Sequence, residues 1–215
     1  MAKLYLADTE QIDAGLAAAL KPLLPETRQQ RISSSPSEQL RRLNIAAGGL
    51  LLYAMRESGL PDDTVVARTE NGKPYAPEYP GFCFSLSHSG LWAACAVGSE
   101  DLGADIQRIV SVKRQVQERC LAAAELVWLD GLPEAERDAA FCRLWSLKEA
   151  YLKATGSGLL DYPSLVQVVD EQGSISCCGY KFREYPIPGY AAAVCCRQEE
   201  IDQQALTVDL RCLIK

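Results

Sequence analysis

Two stretches of this chain, residues 91–97 and 190–196, are apolar at nearly every position, reading Leu-Trp-Ala-Ala-Cys-Ala-Val and Tyr-Ala-Ala-Ala-Val-Cys-Cys. No apolar run approaches the roughly 18 residues that a membrane helix needs. Both stretches read instead as β-strands, the first of them a central one. Two long helical patterns accompany them. Residues 36–58 place Leu40, Leu43, Ala47, Leu50, Leu51 and Ala54 at three- and four-residue steps, behind the start signal Ser35-Pro36-Ser37-Glu38. Gly59 and Pro61 stop this helix. The second runs over residues 134–155 and is stopped by Gly156 and Gly158. Shorter strands are expected at 4–7, 64–67, 82–87, 102–106, 166–169, 175–179 and 206–210, with helices from Pro25, at 112–120 and at 122–129. The halves echo each other. Residues 91–97 leading to 102–106 match 190–194 leading to 206–210, an Ala-rich strand and then a strand with one Asp. If the echo is structural, two α+β halves pack together and leave a seam able to host a site.

Composition narrows the function. The 215 residues are 48% apolar and 23% charged, with a net charge of -6. That excludes a nucleic-acid binder relying on bulk positive charge, though not a local basic cleft for a small anion. The first residues show no apolar signal segment, so the expectation is a cytoplasmic protein with no membrane span. Nine cysteines are present, none in a C-x-x-C pair, and His88 is the only histidine. Zinc-ligand spacing is missing, and thiols among Ala, Val, Phe and Leu read as reduced, buried hydrophobes.

Five constellations could carry chemistry. Asp105 in Gly103-Ala104-Asp105-Ile106-Gln107 leaves a strand end, with Gln107 on the same face. It suits a hard cation, and it equally suits a turn cap. Glu149 and Lys153 share a helix face with Trp145. They suit a metal and a phosphate, and equally a surface pair worth about 0.2–0.5 kcal/mol. Ser85-Leu86-Ser87-His88-Ser89-Gly90 offers hydroxyls, an imidazole and turn amides to an anion, or is a plain hairpin turn. Lys73 lies in the turn Asn71-Gly72-Lys73-Pro74. Arg28, Arg31, Arg41 and Arg42 are either an anion site or a solvated helix face.

The order of these motifs is more specific than any one of them. Gly-Lys-Pro, Ser-His-Ser-Gly, Gly-x-Asp-x-Gln and Trp-x-x-Lys-Glu-Ala-x-x-Lys follow one another as in the 4'-phosphopantetheinyl transferases. The chain resembles their monomeric, double-length, Sfp-type branch over residues 25–158. The resemblance implies an α+β fold of two pseudo-symmetric α/β-sandwich halves, 1–101 and 102–215, each a small antiparallel sheet packed with helices. It implies transfer of the 4'-phosphopantetheine arm of coenzyme A to a serine of an apo acyl, peptidyl or aryl carrier protein, releasing adenosine 3',5'-bisphosphate. Asp105, Gln107 and Glu149 would hold magnesium (Mg2+), with Glu149 and Lys153 catalytic. Lys73, Pro74, Ser87, His88, Arg42, Arg28, Arg31 and Lys153 would hold coenzyme A. Gln107 stands where the family often has a second acid, which opens an alternative: a catalytically impaired module that binds coenzyme A or the carrier. A metal-dependent phosphohydrolase on the same carboxylates is a third reading. The net charge of -6 sits awkwardly with a carrier that is itself acidic.

Overall fold

The computed structural model describes residues 1–157, 163–175, 177 and 179–214. β1 (Ala2–Asp8), α1 (Ala14–Leu20), α2 (Glu26–Ser33) and α3 (Glu38–Glu57) come first, followed by the two-residue strands β2 (Ala67–Arg68) and β3 (Pro74–Tyr75). Next are β4 (Cys83–Ser89), β5 (Trp92–Gly98), β6 (Leu102–Arg108), α4 (Arg114–Cys120), α5 (Ala123–Asp130) and α6 (Glu134–Thr155). β7 (Lys181–Glu184), β8 (Tyr190–Cys196) and β9 (Ile201–Thr207) close the chain. One sheet has the order β4-β5-β1-β9, with β1 and β9 parallel and the other neighbours antiparallel. The other is antiparallel throughout, in the order β6-β8-β7.

The layering explains the apolar strands. On β5, Ala93, Cys95 and Val97 pack with Leu50 and Ala54 of α3. Ala94 and Ala96, on its other face, meet Leu102, Ala104, Ile106 and Val194 of the second sheet. On β8, Ala192, Val194 and Cys196 face the first sheet, while Ala193 and Cys195 pack with Leu144, Leu147 and Ala150 of α6. The layers therefore run α3, first sheet, second sheet, α6. A strand buried on both faces has no solvent side to make polar, so its apolar run is continuous. α3 starts where its cap signal lies, Ser37 Oγ accepting from the Leu40 amide at 3.2 Å.

Several elements differ from expectation. The last strand is Ile201–Thr207, and residues 210–214 form a 3₁₀ turn with Leu210 and Leu213 buried. β9 is an edge strand with Asp202, Gln203 and Gln204 partly or largely exposed, so its pattern is faint. The strand expected at 64–67 begins only at Ala67, and that expected at 166–169 is a single bridge from Val169 to Ile175. The expected strand at 175–179 includes Ser176 and Cys178, and the stop at Gly158 is a third such position; all three lie outside the described residues. α1, capped by Asp13 on the Leu16 amide, and β7 went unanticipated.

β5 leads across into β6, and β8 leads back into β9. A cut between residues 101 and 102 thus separates the two sheets only as far as residue 196. No helix among the described residues is long and apolar enough to cross a membrane. Among the described cysteines, Cys95, Cys142, Cys195 and Cys196 are buried and Cys212 is exposed.

Candidate active site

β6 and α6 approach so closely that a Cβ on Gly103 would lie 1.9 Å from the Ala150 carbonyl oxygen and 2.5 Å from the Ala154 nitrogen. Only glycine fits there. Two residues on, and on the same strand face, Asp105 is buried against the helix. Lys153 Nζ donates to Asp105 Oδ1 at 2.7 Å and to the Ala104 carbonyl at 3.1 Å. Glu149, one turn earlier, places Oε2 4.0 Å from the same ammonium. Ser87 Oγ, reaching across from β4, donates to Asp105 Oδ1 at 2.6 Å. Asp105 Oδ2 and Glu149 Oε1 remain, both buried and without a hydrogen-bond partner among the described residues. Burial pushes the Glu149 carboxyl up from its ordinary value; Lys153 opposes this and the Asp105 charge adds to it.

Glu149, Lys153 and Ser87 line a cleft of about 520 Å³ that basic side chains line with them. Arg28 and Arg31 of α2, Arg68 of β2, Lys73 and His88 all face it. The Arg28 guanidinium is pushed down to about 10 by burial, with Arg31 and Arg68 repelling its charge. Burial lowers the His88 imidazole too, and Arg31, Lys153 and Arg28 press the same way. Several basic side chains gathered on one cleft concentrate positive potential there, which favours an anion. The turn at 69–73 is clipped to the end of α6: Lys73 Nζ donates to the Ala154 carbonyl at 3.0 Å and pairs with Asp101, and Asn71 Nδ2 donates to the Gly156 carbonyl at 3.0 Å. A separate hollow of about 560 Å³ lies by the end of α3 and residues 78–82, and none of these groups lines it.

The family model of the 4'-phosphopantetheinyl transferase superfamily matches residues 101–195, which contain Asp105, Glu149 and Lys153. A similar protein is 4'-phosphopantetheinyl transferase psf-1 of Bacillus pumilus, 41% identical over 46% of this chain and 43% of its own length. 4'-phosphopantetheinyl transferase Sfp of Bacillus subtilis (strain 168) is 34% identical over 65% of this chain and 66% of its own. 4'-phosphopantetheinyl transferase ffp of Bacillus subtilis is 30% identical over 67% of this chain and 68% of its own. The chain belongs to the 4'-phosphopantetheinyl transferase superfamily. Its matches span less than half to about two thirds of these relatives.

In this transferase-family chain most of the residues singled out from sequence converge. Arg28, Arg31, Lys73, Pro74, Ser87, His88, Glu149 and Lys153 line the one cleft, with Asp105 directly behind Ser87 and Lys153. Arg42 does not join them. It pairs with Glu38 one turn away on α3, because the buried face of that helix carries Leu43, Asn44 and Ala47 instead. Gln107 shares the face of Asp105, and its amide donates to the Arg108 carbonyl at 3.2 Å rather than to either carboxylate. Sequence reading missed Arg68 and Asn71, flanking the Gly72-Lys73 turn that brings them in; the turn signal was visible and its arginine neighbour was the clue.

Lys148, next to Glu149 in Trp145-Ser146-Leu147-Lys148-Glu149, is fully buried and pairs with the equally buried Glu125 at 2.6 Å. Glu125 also accepts from the Ala122 and Val168 amides, each at 2.8 Å. The adjacent Lys-Glu thus divides its labour, with Lys148 anchoring α5 to α6 and Glu149 facing the cleft.

Proposed function

We propose that this chain transfers the 4'-phosphopantetheine arm of coenzyme A to a serine of an apo acyl, peptidyl or aryl carrier protein and releases adenosine 3',5'-bisphosphate. One observation carries the reading: Asp105 and Glu149 reach a single ammonium, Lys153, on the floor of a cleft whose wall is Arg28, Arg31 and Arg68. Coenzyme A carries a diphosphate and a further phosphate, and this cleft offers both positive charge and carboxylates able to bind a cation.

The donor set fits Mg2+. Two buried carboxylate oxygens lack partners, and no cluster of three His, Cys, Asp or Glu occurs among the described residues. Mg2+ takes one or two carboxylates and completes its shell with water and phosphate oxygens. When bound by Asp105 and Glu149, it supplies charge neutralisation on the diphosphate. Gln107 is a third candidate through its carbonyl oxygen. The protein does the rest. Arg28, Arg31 and Arg68 hold phosphate, with Lys73 and His88 beside them. Lys153 stands by the departing phosphate and steadies its charge. Glu149, its proton affinity raised by burial, takes the proton of the attacking carrier serine directly or through one water. The serine oxygen then bonds to the β-phosphorus as the bond to adenosine bisphosphate breaks. Both walls of the cleft come from one chain, which supports action as a monomer, and the reading places the enzyme in the cytoplasm with its substrate.

The test is loading. Several purified apo carrier proteins are incubated with the protein, coenzyme A and Mg2+, and intact mass reports addition of one phosphopantetheine to serine. Transfer that stops on chelation is the expected result. Coenzyme A binding with no transfer to any carrier would replace this reading with the binding module.

A further inference from the structure

β4 and β6 are edge strands of different sheets, and no backbone ladder joins them. Three serines at alternate positions of β4 bridge the gap. Ser85 Oγ accepts from the Ala104 amide at 3.0 Å, Ser89 Oγ accepts from the Arg108 amide at 3.0 Å, and Ser87 Oγ, between them, donates to Asp105 Oδ1. The outer two satisfy backbone donors that an edge strand leaves open. The middle one does something else.

A serine hydroxyl has one proton to give and lone pairs to receive. The proton of Ser87 is spent on Asp105. What remains are acceptor sites, which a phosphate oxygen cannot use. The resemblance gives Ser87 to coenzyme A; the geometry gives it to the carboxylate. Asp105 Oδ1 already receives Ser87 at 2.6 Å and Lys153 at 2.7 Å, while Oδ2 is buried and receives nothing. One oxygen is held from two sides and the other is left bare.

We propose that Ser87 is a positioning residue that acts through Asp105: with Lys153 it claims Oδ1, fixes the carboxylate plane, and presents Oδ2 to the divalent cation. This rests on the cation site in the proposed function. Residues that orient a metal ligand usually change metal affinity 10- to 100-fold when removed. Its neighbours Ser85 and Ser89 have no such link to the carboxylate.

The experiment titrates Mn2+ into the full-length protein with coenzyme A present and carrier absent, following free Mn2+ by its EPR signal. Coenzyme A affinity is measured separately in chelator by calorimetry. Ser87→Ala should weaken Mn2+ binding about tenfold with coenzyme A affinity in chelator unchanged. Ser87→Thr, which keeps the hydroxyl, should restore Mn2+ binding to within about threefold, and Ser89→Ala should leave it at the wild-type value. Should Ser87→Ala not fold, Ser87→Cys makes the same comparison with a near-isosteric, poor donor. Unchanged Mn2+ binding in the Ser87 variants overturns the proposal, and weakened coenzyme A binding in chelator beside it returns the hydroxyl to the ligand. An equal loss of Mn2+ affinity in Ser89→Ala overturns it in favour of general support by the three serines. Wild-type protein that binds no Mn2+ overturns the cation site as well; the other adverse results leave that site standing.

Discussion

Glu149 is buried beside one positive and one negative group, and burial has the largest effect on its proton. A carboxyl whose folded pKa lies above its unfolded value binds a proton more tightly in the folded chain. Ionising it therefore opposes folding, and this opposition grows as pH rises from the unfolded value through the folded one. Glu149→Gln keeps the shape and removes the charge. Its melting temperature relative to wild type should rise between pH 4 and pH 8 and reach or exceed the wild-type value at the upper end. Carrier loading at saturating substrate should fall by about a hundredfold or more, the scale of a lost general base. A variant less stable than wild type at pH 8 would mean that attraction to Lys153 outweighs burial; near-normal loading would remove Glu149 from the chemistry. At this scale residue type alone left each reading open. Asp105, Glu149 and Lys153 suit structural roles as well as ionic ones; the structure adds that they meet, Lys153 Nζ lying 2.7 Å from Asp105 and 4.0 Å from Glu149. Arg42 points towards Glu38 on its own helix, because helix phase and not residue type decides which way an arginine points. The Ser87 hydroxyl is directed at Asp105, eighteen residues on in the opposite sheet, and no local pattern around Ser87 records that direction.

Between elements, the distance from β6 to α6 sets the site. Gly103 permits it, since the Ala150 carbonyl and the Ala154 amide nitrogen occupy the space of any Cβ. These are backbone atoms of a long helix and cannot rotate away. Gly103→Ala must push α6 outwards. Overpacking of this kind costs typically about 1–3 kcal/mol, and the upper end applies where backbone is struck. At this chain length that upper end is a fall of about 6–12 °C in melting temperature. The same displacement parts Lys153 and Glu149 from Asp105, so loading should fall more steeply than stability when both are measured below the transition. A fully stable, fully active Gly103→Ala would show that strand and helix can separate freely. The sequence shows only a glycine two residues before Asp105; it could not say that its neighbour is the helix bearing the other carboxylate. The long helices were legible from their periodic apolar faces and stop signals. β9 and the lone bridge at Val169 were not, because an edge strand with a wet face or a single pairing carries almost no pattern.

Across the whole molecule, the two connections that pass between sheets hold each other. Glu100, in the turn from β5 to β6, accepts from the Gln198 and Glu199 amides in the turn from β8 to β9. Glu199 returns the contact, accepting from the Ser99 amide and hydroxyl at 3.0 Å each. Each sheet thus depends on a strand whose chain neighbour lies in the other, and the apolar layer of Leu4, Leu6, Ala96, Ile106 and Val194 is shared between them. Neither sheet can unfold alone without exposing that layer and leaving a crossing strand unpaired. The expected echo of 91–97 and 102–106 in 190–194 and 206–210 does not extend to the last strand, which is Ile201–Thr207. The consequence is a test of cooperativity. Trp92 lies on β5 in the first sheet, while Trp128 and Trp145 lie on α5 and α6 over the second. Single-tryptophan variants unfolded in urea should report one midpoint from either side, coincident with loss of helical circular dichroism. Glu100→Ala removes the acceptor for two amides and should lower stability by about 1–3 kcal/mol while the transitions stay together. Separate midpoints from Trp92 and Trp145 would mean that the sheets fold as independent units, and that the seam holding Asp105 against Ser87 forms only when two finished halves dock.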